Sequence, residues 1–143
     1  MKQKASAIWQ GSLKEGTGTI STASGALVGK PYSFKARFEA ENGEAGTNPE
    51  ELIGAAHASC FSMAFSMILG GAGFTPEKIE TTATITLEQK DGGFAVTASH
   101  LDLTATVPGI DDAKFQECAG QAKAGCPISK LLNATITLNA KLA

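Results

Sequence analysis

The run Glu51-Leu-Ile-Gly-Ala-Ala-His-Ala-Ser-Cys-Phe-Ser-Met-Ala-Phe-Ser-Met-Ile-Leu69 is apolar almost without interruption, and the rest of the chain must be arranged around it. Its start carries strong helix signals. Asn48 is a good N-cap, Pro49 suits the first helical position, and Glu51 stands where a capping box places an acid. Glu50 and Glu51 also oppose the positive end of the helix dipole. The helix is expected to run to about Leu69, with Gly70-Gly71 ending it. Apolar residues cover nearly its whole circumference, which predicts burial on most sides. So apolar a segment also raises the question of a membrane span. Its content of Ala, Ser and Gly, the His57 within it, and the lack of basic or aromatic flanks point instead to the buried helix of a soluble protein.

A chain of 143 residues is the length of one domain, here 1–143, and can bury a core without metal or disulfide staples. The formal net charge is -2, and Lys and Arg are nowhere clustered, which argues against an electrostatic nucleic-acid binder. The segment Met1-Lys-Gln-Lys-Ala-Ser-Ala-Ile-Trp9 lacks the apolar stretch of a signal peptide, so a cytoplasmic location is expected. Three cysteines in such a chain point to thiol chemistry or plain packing, not to a disulfide framework.

Around the central helix the pattern reads as α+β. Ala5–Trp9 and Gly16–Thr22 read as strands. Tyr32–Glu39 alternates Tyr32, Phe34, Ala36 and Phe38 against Ser33, Lys35, Arg37 and Glu39. That alternation predicts a strand with Arg37 on the face opposite Phe34 and Phe38. Glu41–Gly46 is a loop by composition. Thr75–Lys78 reads as a short capped turn or helix. Ile79–Glu88 and Phe94–Val107 are Thr-rich alternating runs joined through Lys90-Asp-Gly-Gly93, a hairpin signal. Asp111–Ala124 is helical, with Phe115, Cys118, Ala119 and Ala122 on one face, and Gly125 ends it. Pro127 opens another helix through Leu132, and Ala134–Ala140 is a final strand.

Chemistry concentrates on a few side chains. Cys60, in the most apolar segment, is either an inert core thiol or a nucleophile in a dry pocket. Cys126, in Gly125-Cys-Pro127, is a small N-cap residue, or a thiol facing free backbone N–H groups that favour its ionised form. Cys118 falls on an apolar helix face and reads as packing. Arg37 is the only arginine of the chain. Its planar fork can grip a carboxylate and still offer donors elsewhere, or it can be a solvated surface charge. Glu51 reads as a helix-start acid, whereas Glu50 is free to pair with a cation. Glu50 and Cys60 are ten positions apart, which in one straight helix is about 15 Å along the axis. Either the helix breaks, with Gly54 the candidate, or Glu50 serves the Cys60 of a second subunit in a two-fold dimer, the arrangement preferred here. His57 and Cys60 lie on neighbouring turns of one face. They read as a packed helix residue beside a thiol, a thiolate–imidazolium pair, or two metal ligands. No C-x-x-C or H-x-x-x-H spacing supports a metal site.

Two motifs carry a resemblance. Thr47-Asn-Pro-Glu-Glu-Leu-Ile-Gly-Ala-Ala-His-Ala-Ser-Cys-Phe-Ser-Met63 and, far downstream, Ala122-Lys-Ala-Gly-Cys-Pro-Ile-Ser129 resemble the OsmC/Ohr family of thiol peroxidases. Trp9-Gln-Gly11, Gly16–Thr22 and Val107-Pro-Gly-Ile110 look like the OsmC branch. The resemblance implies an OsmC-like fold: antiparallel sheets packed around long central helices in an intertwined homodimer, with active sites at the subunit interface. Carried over residue by residue, it makes Cys60 the peroxidatic cysteine, Cys126 the resolving cysteine, Glu50 the glutamate of the Asn-Pro-Glu motif, and Arg37 the arginine of the OsmC branch. The Ohr branch places its arginine earlier, where this chain has none. Cys118 matches no family motif.

The resemblance further implies reduction of organic hydroperoxides, and less efficiently hydrogen peroxide, through a Cys60 sulfenic acid and a Cys60–Cys126 disulfide. An external dithiol, dihydrolipoyl groups in some relatives, recycles it, and no flavin, haem or metal cofactor is required. Phe61, Met63 and Phe65 are candidates for the apolar lining of the substrate site. Two rival classes remain: a non-enzymatic redox sensor using the same cysteine pair, and a metal-binding or structural protein.

Overall fold

The computed structural model describes residues 1–39 and 46–143; of the loop expected at Glu41–Gly46, only Gly46 is among the described residues. The chain divides into two compact units, Met1–Leu52 and Ile53–Ala143.

In the first unit, β1 (Ala5–Gln10), β2 (Thr17–Thr22) and β3 (Lys30–Ser33) form an antiparallel sheet in the order β1-β2-β3. Gly18 of β2 pairs with both Trp9 and Tyr32, whose rings are 5.3 Å apart. A side chain at Gly18 would collide with the Ile8 carbonyl and the Tyr32 ring, and one at Gly16 with the Trp9 ring, so the two aromatics close over glycines. The strand expected over Tyr32–Glu39 stops at Ser33. There the Ser33 hydroxyl accepts the Ala36 N–H and caps a one-turn helix, α1 (Phe34–Phe38). The cap and the Phe34–Phe38 ring contact at 4.8 Å override the alternating pattern. Arg37 therefore does not point away from the aromatics: its guanidinium lies over the Phe38 ring, 5.0 Å from the centroid.

Helix α2 (Pro49–Gly71) begins at the end of the first unit and runs on into the second without a break, so Gly54 does not interrupt it. Asn48 caps it as expected, its Oδ1 accepting the Glu51 N–H at 2.8 Å, while the Glu51 carboxylate accepts the Thr47 hydroxyl. The helix ends later than Gly70-Gly71 suggests. Phe74 N–H bonds to the Leu69 carbonyl, Gly73 N–H to the Gly70 carbonyl, and Gly73 takes φ +88. This Schellman geometry needs its left-handed residue just past the last turn, and Gly73 occupies that place.

The second unit holds β4 (Lys78–Lys90), β5 (Gly93–Thr106), α3 (Asp112–Gly125), α4 (Pro127–Leu131) and β6 (Thr135–Leu142), with the sheet ordered β4-β5-β6. Thr75–Glu77 is an irregular lead into β4, not a helix. The hairpin is as expected. Asp91 and Gly92, at φ 52 and 79, make a two-residue turn of the type that matches strand twist. A bulge opposite Thr86/Leu87 interrupts the register once. The sheet departs from the expected all-antiparallel form, because β6 runs parallel to β5. The connection between them carries α3 and α4, the kind of crossover that parallel neighbours require.

Phe61, Phe65 and Leu69 of α2 pack with Leu101, Leu103 and Ala105 of β5 and with Phe115, Cys118, Ala119 and Ala122 of α3. The Phe65 and Phe115 rings meet edge to face at 5.4 Å. Gly54 brings the helix close to β4, where a Cβ would stand 3.1 Å from the Ala83 carbonyl oxygen. The expectation that α2 is buried on most sides holds for one face only. Ala55, Ala56, Ser59, Met63, Ser66, Met67 and Gly70 are exposed in the single chain. By length and composition α2 could cross a membrane. Its fully shielded His57 and its phenylalanines packed on β5 and α3 are instead the marks of a core helix.

Candidate active site: a thiol pair and an arginine fork

The site residues expected from the sequence fall into two pairs. In the second unit, α2 carries Cys60 and the start of α4 carries Cys126. The Cys126 thiol and the Ile128 backbone N–H both lie near enough to the Cys60 sulfur to bear on its ionisation. All three cysteines are free: Cys60 is half-buried, and Cys118 and Cys126 are buried. Cys118 lies in the α2/α3 core, as packing predicts.

Burial pushes the Cys60 thiol above its ordinary value; the Ile128 amide pulls it down, and the neighbouring Cys126 pushes it up again. The net direction is upward, so the apolar setting by itself keeps Cys60 protonated. Of the two readings of Cys126, the small N-cap residue is the one seen at the start of α4. Cys126 makes no side-chain capping bond, and the amide that bears on a thiol belongs to Ile128 and bears on Cys60. Beside Cys60 opens an apolar cavity of about 440 Å³ lined by Met63, Ala64, Met67, Ile68, Gly125 and Pro127. Met63 is thus a lining residue as expected. Phe61 and Phe65 are not; they are fully buried in the core.

In the first unit, Arg37 of α1 grips Glu50 in a two-pronged ion pair. Nε donates to Oε2 at 3.0 Å, and the second prong closes on Oε1 at 2.6 Å. Both prongs parallel one another, the arrangement that only a guanidinium gives. The Arg37 side chain lines a cavity of about 300 Å³ with Trp9, Leu13, Tyr32, Phe34, Phe38 and Pro49. An arginine fixed by a carboxylate beside an aromatic cleft retains N–H donors for an anion, and in the single chain a third of its side chain is open to solvent.

His57 does not pair with Cys60. Its Nδ1 is 2.7 Å from Ser99 Oγ and its Nε2 is 2.8 Å from Ser129 Oγ, so both ring nitrogens are occupied. Burial lowers its pKa and keeps the ring neutral. Among the described residues no cluster of His, Cys, Asp and Glu could hold a metal.

Sequence reasoning missed the Ile128 amide, Met67 and the Trp9–Tyr32 wall of the arginine cleft. A backbone donor leaves no mark in a sequence. The wall did leave one, in the glycines at positions 16 and 18, where a side chain would meet the Trp9 and Tyr32 rings respectively.

A profile of the family "OsmC-like protein" matches residues 41–141. The chain is 55% identical over 140 residues to the peroxiredoxin OsmC of Escherichia coli K12, covering 98% of this chain and 96% of that one. It is 28% identical to the organic hydroperoxide resistance protein of Xanthomonas axonopodis pv. citri, over 85% of this chain and 91% of the relative. Among solved structures, the organic hydroperoxide resistance protein OhrB of Bacillus subtilis superposes with TM-score 0.71 at 27% identity, covering 96% of this chain and 98% of that one. An OsmC-like protein from Vibrio cholerae shares the fold alone, with TM-score 0.76 at 17% identity over 98% and 99% of the two chains. By motif, profile and fold, this chain belongs to the OsmC-like family.

Proposed function

We propose that this thiol-dependent peroxidase reduces organic hydroperoxides, and hydrogen peroxide less efficiently, through Cys60 and Cys126. The observation that carries the reading is the nearness of the two thiols beside an apolar cavity, in a chain 55% identical to a peroxiredoxin. The Cys60 thiolate attacks the terminal peroxide oxygen. The O–O bond breaks, its electron pair leaves with the alkyl-bearing oxygen, and that oxygen takes up a proton to become the alcohol. Cys60 is left as a sulfenic acid. The Cys126 sulfur then attacks the Cys60 sulfur, the S–O bond breaks, and water departs as the disulfide forms. An external dithiol, dihydrolipoyl among the candidates, exchanges with that disulfide, becoming a disulfide itself and restoring both thiols. The free thiols suit a reducing compartment, the cytoplasm.

Ionising Cys60 requires help that its own surroundings do not give, because their net effect raises its pKa. In the proposed mechanism the help is the Arg37–Glu50 fork of a second subunit, brought to Cys60 in a homodimer. The fork favours the thiolate and stabilises charge on the leaving oxygen.

Turnover of an organic hydroperoxide with a dithiol reductant tests the reading. Cys60→Ser is expected to abolish turnover. Cys126→Ser is expected to allow one oxidation and leave a sulfenic acid that dimedone traps. Full activity in Cys60→Ser would remove the mechanism. Oxidation of the wild type by one equivalent without repeated turnover would make the pair a redox sensor instead.

A further inference from the structure

The peroxide chemistry leaves one buried titratable group unused. His57 is 0% exposed and sits one turn before Cys60 on α2. One ring nitrogen meets Ser99 of β5 and the other meets Ser129 of α4, at 2.7 and 2.8 Å. A hydroxyl can donate or accept, so a neutral imidazole satisfies both serines with either tautomer. The ring therefore joins three elements, and one of them carries Cys126.

That element is weak by itself. Helix α4 spans only Pro127–Leu131, and no side chain caps its start. A single turn has little intrinsic stability, so its position comes from tertiary ties. Ser129, 9% exposed, ties the turn by a side-chain hydrogen bond to α2, the helix that bears Cys60. The N–H of its neighbour Ile128 lies near the Cys60 sulfur, and Cys126 stands three positions before Ser129. Disulfide closure tolerates little error, since the two Cβ atoms must come within about 3.5–4.5 Å with a restricted torsion.

We infer that His57 is a positioning residue for the resolving step: its ring holds Ser129 and so presents Cys126 to Cys60. The inference rests on the Cys60–Cys126 reading above. It assigns His57 no proton transfer and no contact with the peroxide. It explains why a helix otherwise rich in small and apolar residues keeps an imidazole in its buried face, where an apolar side chain would pack without needing partners.

Rapid mixing with one equivalent of organic hydroperoxide separates Cys60 oxidation from disulfide closure. Ser129→Ala is expected to slow closure relative to oxidation by at least about tenfold, as a misplacement near one ångström does, with sulfenic acid accumulating for dimedone to trap. Ser129→Thr, which keeps the hydroxyl, is expected to restore closure. Ser99→Ala removes a hydrogen bond from the same ring but leaves the α4 tie. It is expected to lower Tm comparably and keep closure within about threefold of the wild type, because its loss is structural. His57→Gln is expected to slow closure as Ser129→Ala does. Equal closure in Ser129→Ala and Ser99→Ala would overturn the inference. Absence of a Cys60–Cys126 disulfide in the wild type would instead overturn the proposed function on which it rests.

Discussion

His57 shows how a residue's chemistry is set by its partners. The His–Cys spacing suggests a nucleophile pair or two metal ligands, yet both ring nitrogens are taken by serines distant in sequence, and burial keeps the ring neutral. The consequence for pH is specific. The folded-state pKa of His57 lies below its unfolded value of 6.5, so the unfolded chain binds the extra proton first. Stability is unaffected by this group above that value and falls as pH drops from there toward the lower folded pKa. Urea melts at about pH 7.5 and about pH 5 are expected to show a larger acid loss in the wild type than in His57→Gln, the carboxylates cancelling in the comparison. At this scale Cys60, Cys126, Arg37 and Glu50 stood out as candidates through their motifs, and the cysteines and the single arginine also through scarcity. Ser99, Ser129 and the Ile128 amide did not, because an ordinary serine or backbone N–H becomes distinctive only through its neighbours.

Helix α2 was legible at its start, where Asn48 and Pro49 act through local geometry. Its end was misread by two residues. Gly70 and Gly71 are ordinary helical positions, and the left-handed Gly73 makes the stop. The two glycines should respond to alanine with opposite signs. Gly70→Ala meets nothing within 4 Å and is expected to stabilise the helix by about 0.5–1 kcal/mol. Gly73→Ala, forced to φ +88, is expected to cost about 1–2 kcal/mol. Denaturant midpoints at constant m check both. The Tyr32–Glu39 segment was misread for a related reason. Its period-two pattern is genuine, but the Ser33 cap and the Phe34–Phe38 contact are stronger local instructions. The consequence is a different pair of neighbours, since helical geometry puts Arg37 beside Phe38 and brings its fork to Glu50.

For the whole molecule, the α+β class and the hairpin were readable from periodicity and turn chemistry. The parallel β6 was not, because strand direction depends on the connection and a strand's own pattern does not reveal it. The apolar Met63 and Met67 on the open face of α2 fit a dimer in which two such helices meet. Mixing two inactive variants tests the shared site. Cys60→Ser and Arg37→Ala, allowed to exchange subunits freely, are expected to recover about a quarter of wild-type turnover, because half the dimers then hold one complete site. No recovery after confirmed exchange would mean that Arg37 serves the Cys60 of its own chain. The parallel pairing also sets an order of assembly. Ala98 of β5 meets Thr135 of β6, and the hairpin can zip as soon as its turn emerges, whereas β6 leaves the ribosome later. A nascent chain therefore exposes Cys60 well before the crossover bearing Cys126 can be locked down. In the proposed mechanism that interval is harmless, because Cys60 without a second subunit's arginine fork stays a protonated, unreactive thiol.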